Sequence, residues 1–380
     1  MPVDRVLLAE PRGFCAGVEK AIKALAWMVR VFDPPVYCYH EIVHNRHVVD
    51  QFRAQGVVFV DDVADVPAGA PLMLSAHGTA PEVADAARAH GGVVVDAVCP
   101  LVTKVHHEVK VRSRKGFTIL YVGHAGHEEA VGTMAVAPDA VRLIESEADL
   151  DALAAPDGAA PDGAAPDGAD SEAPPVALLA QTTLSHDEWS GLMESAKRRY
   201  PDLWMPGRSD LCFATTNRQA ALKAIADKVD AVVVIGSANS SNTVALEKVA
   251  RARGCRRVVR INGVAELPDD LSGTVGVTAG ASAPEDLVQA VVDHLNPVLG
   301  VESVSVTVED EYFPPPPELR ELLRALSLTL GVLAAAPPAT TAAAVPGDPV
   351  AGDREVSATD VLATMASAGG PMDMAVAGSG

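Results

Sequence analysis

Pro11-Arg12-Gly13-Phe14-Cys15-Ala16-Gly17-Val18-Glu19 joins an apolar run at residues 6–9 to residues 21–31, whose apolar positions recur at helical spacing. The run reads as a strand and the following segment as a helix, so Cys15 falls in the turn between them. Gly13 and Gly17 give that turn conformational freedom, and the helix N-terminus favours negative charge beside the thiol. The thiolate is the form of cysteine that binds metal or acts as a nucleophile. A lone cysteine, by contrast, is usually a small buried hydrophobe.

The same setting occurs twice more. Residues 93–98 read as a strand ending at Cys99-Pro100, with residues 101–114 helical behind it, and Cys212 opens a helix that runs to about residue 228. Cys15, Cys99 and Cys212 are 84 and 113 residues apart, which is unlike the close-set ligands of a structural zinc site. In open α/β sheets ligands bind beyond the carboxyl ends of the strands, and there three thiolates can converge on one metal centre. They suit an iron–sulfur cluster with one iron left open, a variation on four-cysteine ligation. A Cys–His nucleophile pair would not need three cysteines. Cys38 and Cys255 lack the setting and read as ordinary thiols.

Strands alternate with helices along the rest of the chain, which implies parallel sheets. The expected class is α/β, with three small α/β domains and mostly parallel sheets around a central iron–sulfur site. The first domain spans residues 17–98 and the second 99–208; the third combines 1–16 with 209–325. Within the second, residues 154–168 repeat Ala-Ala-Pro-Asp-Gly three times. This composition cannot bury a core, so 154–175 reads as a disordered insertion. Residues 303–324 read as a strand and a short helix around four prolines, and 326–380 as a disordered Ala/Pro-rich tail.

The 380 residues are 48% apolar, enough for a real core. No apolar run reaches the roughly 18 residues of a membrane span, and no signal or transit segment precedes the first strand. Five scattered cysteines do not make a disulfide framework, so a cytoplasmic enzyme with no membrane partner is expected. The net charge is −20. Residues 154–175 hold five acids and no base and residues 331–380 five acids and one base, which leaves −11 on the remainder. Nucleic-acid binding needs a basic footprint, so it is not expected.

Polar residues gather at the strand ends: His44, His77, His127, Glu129, Thr182, Ser240, Asn242 and Ser282. Turn chemistry explains any one such loop, but seven loops beside three matched cysteines point to an anion pocket. Ser240, Asn242 and Ser282 stand at helix starts, where free N–H groups hold phosphate, and histidines add donors that charge near neutral pH. No Walker loop or Rossmann fingerprint is present, which argues against ATP, GTP and nicotinamide dinucleotides. Glu129, in a loop with His127, is the best candidate proton donor.

The segments PRGFCAGVEKAI, YHEIVHNRHVV, SAHG, DAVCPLVTKVH, GHAGHEE, QTTLS, CFATTNRQ, GSANSSN and GVTAGASAPEDLV occur in this order. Together they resemble the LytB/IspH family of 4-hydroxy-3-methylbut-2-enyl diphosphate reductases, over about residues 5–320 outside the insertion. The resemblance implies a [4Fe–4S] cluster held by Cys15, Cys99 and Cys212. It implies reductive removal of the substrate hydroxyl as water, giving isopentenyl and dimethylallyl diphosphates in the last step of the methylerythritol phosphate route. Ferredoxin or flavodoxin would donate the electrons. By position, His44, His77, His127, Ser240, Ser241, Asn242 and Ser282 match the substrate's diphosphate pocket, Glu129 the proton-delivering acid, and Thr182 a residue beside the hydroxyl. Glu128 departs from the pattern, where proline is common, and so does Phe213, where tyrosine is usual. The residues alone also allow an iron–sulfur hydro-lyase, which consumes no net electrons, or an iron–sulfur sensor or carrier, which needs no anion pocket.

Overall fold

The computed structural model describes residues 2–153, 174–334, 350 and 352–367. The chain opens with β1 (Val3–Glu10), α1 (Ala16–Val31), β2 (Val36–Tyr39), α2 (Arg46–Ala54), β3 (Val57–Val60), β4 (Leu72–Leu74), α3 (Pro81–Ala89) and β5 (Val94–Asp96). Next come α4 (Pro100–Arg114), β6 (Thr118–Val122), α5 (Glu128–Ala135), β7 (Val141–Ile144), α6 (Glu147–Ala152), β8 (Val176–Ala180) and α7 (His186–Arg199). The remainder holds α8 (Phe213–Ile225), β9 (Ala231–Ile235), α9 (Ser241–Ala252), β10 (Arg257–Ile261), β11 (Gly273–Ala279), α10 (Glu285–Leu295), β12 (Val301–Ser305), α11 (Pro317–Ala334) and α12 (Ala358–Ser367).

Among the described residues the strands form three sheets, ordered β3-β2-β4-β5, β7-β6-β8 and β10-β9-β11-β1-β12, and every pairing is parallel. Parallel neighbours need crossover connections, and the helices that make them cover both faces of each sheet. Strand β9 shows the consequence. Its sequence Ala-Val-Val-Val-Ile is buried at all five positions, because α10 packs on one face and α8 with α9 on the other. A strand covered on both sides reads as a continuous apolar run. Edge strand β12 is mostly exposed.

Each of the three cysteines stands where the chain passes from one sheet to the next. Cys15 follows β1 and starts α1, which packs on the β2–β4 sheet. Cys99 follows β5 of that sheet and starts α4, which packs on β6 and β8. Cys212 comes after α7 and starts α8, which packs against β1 and β9.

Three expectations are corrected. Residues 128–135, read as no element beyond the loop at Glu129, form helix α5, eight residues long with Gly132 inside it. The short helix expected near residue 320 is α11, 18 residues long, because Leu319 and Leu323 anchor it in the core. The disordered tail is corrected at residues 352–367, which fold onto α1 and α2. Ala358, Leu362 and Met365 enter the same apolar cluster as Ile22, Leu25 and Phe52. Lys23 donates to the carbonyls of Asp353 and Val356 at 2.7 and 3.2 Å and pairs with the Asp353 carboxylate at 3.0 Å. Tertiary docking supplies the order that weak local pattern did not signal. Residues 154–173, the bulk of the expected insertion, lie outside the described residues, as do 335–349, 351 and 368–380. Among the described residues, no helix is long and apolar enough to cross a membrane.

Candidate active site

Eight loops at the carboxyl ends of the strands, together with the Cys212 turn, enclose a partly open cavity of about 100 Å³. It is lined by Cys15, Cys99, Cys212, His44, His77, His127, Glu129, Thr182, Ser240, Ser241, Asn242 and Ser282, every residue singled out in the sequence. Cys38 is instead fully buried in the core, and Cys255 packs beside α8 and β9.

Each cysteine is the N-cap residue of its helix, and none of the three makes a side-chain capping bond. Gly13 is left-handed, with φ +68°, as a tight turn requires. Gly17 differs from expectation: it adopts ordinary helical backbone and contributes space instead of freedom. A Cβ there would lie 2.8 Å from the Cys99 sulfur and 3.8 Å from the Cys15 sulfur, so any side chain would collide with the thiol cluster. Burial pushes the Cys99 thiol up to about 12, and the Cys15 sulfur adds to the shift. Cys212 is pushed up as well, by burial and by the same neighbour. Backbone amides of Leu101 and Val102 oppose the shift at Cys99, and those of Thr215 and Ala214 at Cys212.

The scaffold behind these turns escaped the sequence reading. Arg218, wholly buried, donates to the Gly13 carbonyl at 2.7 and 3.0 Å and to that of Phe14 at 3.1 Å, and pairs with Glu309 at 3.0 Å. It locks the Cys15 turn to the Cys212 helix. Lys20 donates to the Val98 carbonyl at 2.8 Å and ties α1 to the Cys99 turn. A cation on an otherwise apolar or small-residue helix face was the available signal.

Next to the sulfurs, Glu129 is only 2% exposed. It accepts from the Thr182 amide at 2.7 Å and the Thr182 hydroxyl at 2.9 Å. Burial raises its carboxyl to about 7, with Asp210 repelling the charged form and the two Thr182 donors favouring it. Its proton therefore exchanges near neutral pH, in the range suited to general acid catalysis.

At the other end, His44 and His77 stack with centroids 3.8 Å apart and planes within 14°, and His127 stands edge-on to both. The Glu129 amide donates to His127 Nδ1 at 3.2 Å, so the neutral ring carries its proton on Nε2. That atom is buried without a partner, as are His44 Nε2 and both Asn242 side-chain polar atoms. Orphaned polar atoms cost about 1–3 kcal/mol each, and a ligand with several acceptor oxygens would relieve the cost. Ser240 caps α9 through the Thr243 amide at 3.4 Å, and the Ser282 hydroxyl donates to the His44 carbonyl at 2.9 Å. Ser241 accepts from Gln181 Nε2 at 3.3 Å. Among the described residues, no lysine or arginine lines the cavity.

The chain matches a family model described as LytB protein over residues 6–296. It is similar to the 4-hydroxy-3-methylbut-2-enyl diphosphate reductase of Rhodopirellula baltica, at 43% identity over 83% of this chain and 96% of that protein. It is similar to the enzyme of the same name from Acidothermus cellulolyticus, at 42% identity over 86% and 93%. Among solved structures, the E-1-hydroxy-2-methyl-but-2-enyl-4-diphosphate reductase of Plasmodium falciparum superposes with a TM-score of 0.77 at 30% identity, covering 86% of this chain and 99% of that one. The stretch containing all three cysteines and every cavity loop falls inside the matched range, and the chain belongs to the LytB family.

Proposed function

We infer that this chain reduces 4-hydroxy-3-methylbut-2-enyl diphosphate to isopentenyl and dimethylallyl diphosphates, using a [4Fe–4S] cluster held by Cys15, Cys99 and Cys212. The observation that carries the reading is the sharing of one cavity by three cysteines at helix starts, a buried acid poised near neutral pH, and a cluster of unpartnered polar atoms. The donor set fits the cluster. The Cys99 and Cys212 thiols resist ionisation, through burial and through the neighbouring Cys15 sulfur, whereas coordination to a metal deprotonates a thiol outright. The space beside Gly17 keeps the sulfurs clear of any side chain.

The reaction consumes two electrons and two protons and releases the hydroxyl as water. When bound, the cluster would supply the electrons and a Lewis-acidic iron for that hydroxyl. The protein's residues do the rest. His44, His77, His127, Ser240, Ser241, Asn242 and Ser282 hold the diphosphate and so fix the carbon chain in the cavity, an orientation effect. Glu129 holds a proton at a carboxyl oxygen; in the acid form its Oε2–H donates to Thr182 Oγ1, which turns the Thr182 hydroxyl hydrogen toward the leaving oxygen. Val18, Val43 and Val102 make the cavity's apolar wall, which excludes water from the reacting carbons. A ferredoxin or flavodoxin is the expected electron donor.

The test is an anaerobic assay of the cluster-loaded protein with 4-hydroxy-3-methylbut-2-enyl diphosphate and a reduced viologen dye. Two dye electrons consumed per isopentenyl or dimethylallyl diphosphate formed establish the reductase; an intact cluster with no dye oxidation and no product overturns it. Cys15→Ser, Cys99→Ser and Cys212→Ser should each lower bound iron per chain, and an unchanged iron count in any of them refutes that ligand.

A further inference from the structure

A diphosphate brings several negative charges into a cavity that, among the described residues, is lined by no lysine and no arginine. Helix N-termini and hydroxyls supply dipoles, but among the described lining side chains only the histidines can become cations. Two of these are stacked rings, so charging one raises the energy of charging the other. Each has a carboxylate on the side of its Nδ1. Glu128 Oε2 lies 2.7 Å from His77 Nδ1, and Glu41 Oε2 lies 3.7 Å from His44 Nδ1. Asn239 steadies Glu41 with a 2.9 Å hydrogen bond. Neither glutamate lines the cavity itself.

We propose that Glu128 is a positioning residue for the diphosphate end of the site: it holds His77 by Nδ1, and the pair takes up a proton from solvent as the diphosphate binds. This rests on the reading that the histidine end holds the diphosphate. A carboxylate 2.7 Å from Nδ1 favours the neutral tautomer with its proton there, although the pair is bent too far from linear for a hydrogen bond; that tautomer leaves Nε2 as an acceptor. An acceptor repels a phosphate oxygen, so His77 can contribute only as the imidazolium, a donor at both nitrogens. Glu128 is the counter-charge that makes this form accessible.

The groups facing His77 are consistent with this. From the loop after β2 come His44 and Glu41, and from the entry to α5 come Glu128 and His127. Burial and then His44 lower the His77 pKa, while Glu128 and Glu41 raise it. Empty, the ring is therefore neutral near pH 7; an arriving anion adds to the glutamates and tips it to the cation. Glu128 itself stays ionised. Burial alone would raise its carboxyl, but His77, His44 and His40 bring it down to about 2. Because the His77 pKa rises on binding, the coupling favours affinity most at low pH and is lost as pH climbs through the bound-state pKa.

The experiment is calorimetry of inorganic pyrophosphate binding to the cluster-loaded protein, in buffers of different ionisation heat, between pH 6 and 9. Relative to wild type, Glu128→Gln should take up less proton per pyrophosphate at pH 8 and bind several-fold more weakly. The gap should narrow toward pH 6, and Glu128→Asp should restore part of both effects. In turnover, KM should rise with kcat nearly unchanged. Equal affinity and equal proton count in Glu128→Gln would overturn the proposal, as would a fall in kcat at constant KM. Failure of the wild type to bind pyrophosphate would overturn both this inference and the assignment of the diphosphate end.

Discussion

Glu128 and Glu129 are neighbours in sequence, both in the first turn of α5, yet their carboxyls are pushed in opposite directions. Glu129 points inward, where burial and Asp210 raise it to about 7 against the pull of two Thr182 hydrogen bonds. Glu128 points to the histidine side, where burial is outweighed by His77, His44 and His40 and the carboxyl falls to about 2. One helix start thus presents a proton carrier to the sulfur end of the cavity and a fixed anion to the histidine end. Adjacent positions on a helix are about 100° apart, so consecutive residues meet different surroundings. Environments that push like groups apart in pKa mark which serves as acid and which as charge.

The largest effect should come from removing the carrier. Glu129→Gln is expected to lower kcat by about 10²–10⁴-fold with bound iron and pyrophosphate affinity retained, whereas Glu128→Gln acts on binding. Near-normal turnover in Glu129→Gln would erase the distinction. The pH profile sharpens it. Proton delivery needs the acid form of Glu129, so with saturating substrate and dye kcat should fall as pH rises past about 7, and this inflection should vanish in Glu129→Gln. Glu128, ionised throughout, should contribute no inflection between pH 5 and 9.

The contrast should also be local. Leu362, 3% exposed in the apolar cluster behind α1, lies far in sequence from both acids. Leu362→Ala should lower stability by about 2–5 kcal/mol, seen in thermal or denaturant unfolding, with the kcat inflection unmoved. A shifted inflection would mean that the docked C-terminal segment tunes Glu129. Thr182→Val should have a smaller effect, about five- to tenfold on kcat, since one neutral hydrogen bond is worth about 1 kcal/mol. It removes a donor that favours the ionised carboxyl, so the inflection should move to higher pH.

The cavity was readable in the sequence because its chemistry demands particular residues at helix starts. A cysteine before each of α1, α4 and α8, and Ser240-Ser241-Asn242 at α9, stand out from ordinary turn composition. What could not be read depends on approach between distant segments. His77 and Glu128 are 51 residues apart, and their contact requires α5 to close on the loop carrying His77. Gly132 permits this, since a Cβ there would lie 2.8 Å from the Gly78 carbonyl oxygen. Arg218 and Lys20 were hidden for the same reason: their partners are backbone carbonyls brought close only by the meeting of sheets. Residues 352–367 are the clearest case. They lie beyond the family match, which ends at residue 296, and Ala358, Leu362 and Met365 become a core face only when α1 and α2 are there to receive them.

The smallest expected effect bears on what keeps Glu128 ionised. Besides His77 at 2.7 Å, the carboxylate has His40, whose Nδ1 stands 4.0 Å from Oε1 and 3.4 Å from the fully exposed Asp61. His40 is partly exposed, and a solvent-screened pair at that distance is worth well under 1 kcal/mol. The ring is moreover shared with Asp61. His40→Ala should therefore change KM by no more than about twofold and leave proton uptake on pyrophosphate binding intact. If instead it matched Glu128→Gln in both readouts, the anion at the start of α5 would be held from the solvent side, and His77 would be its dependent and not its partner.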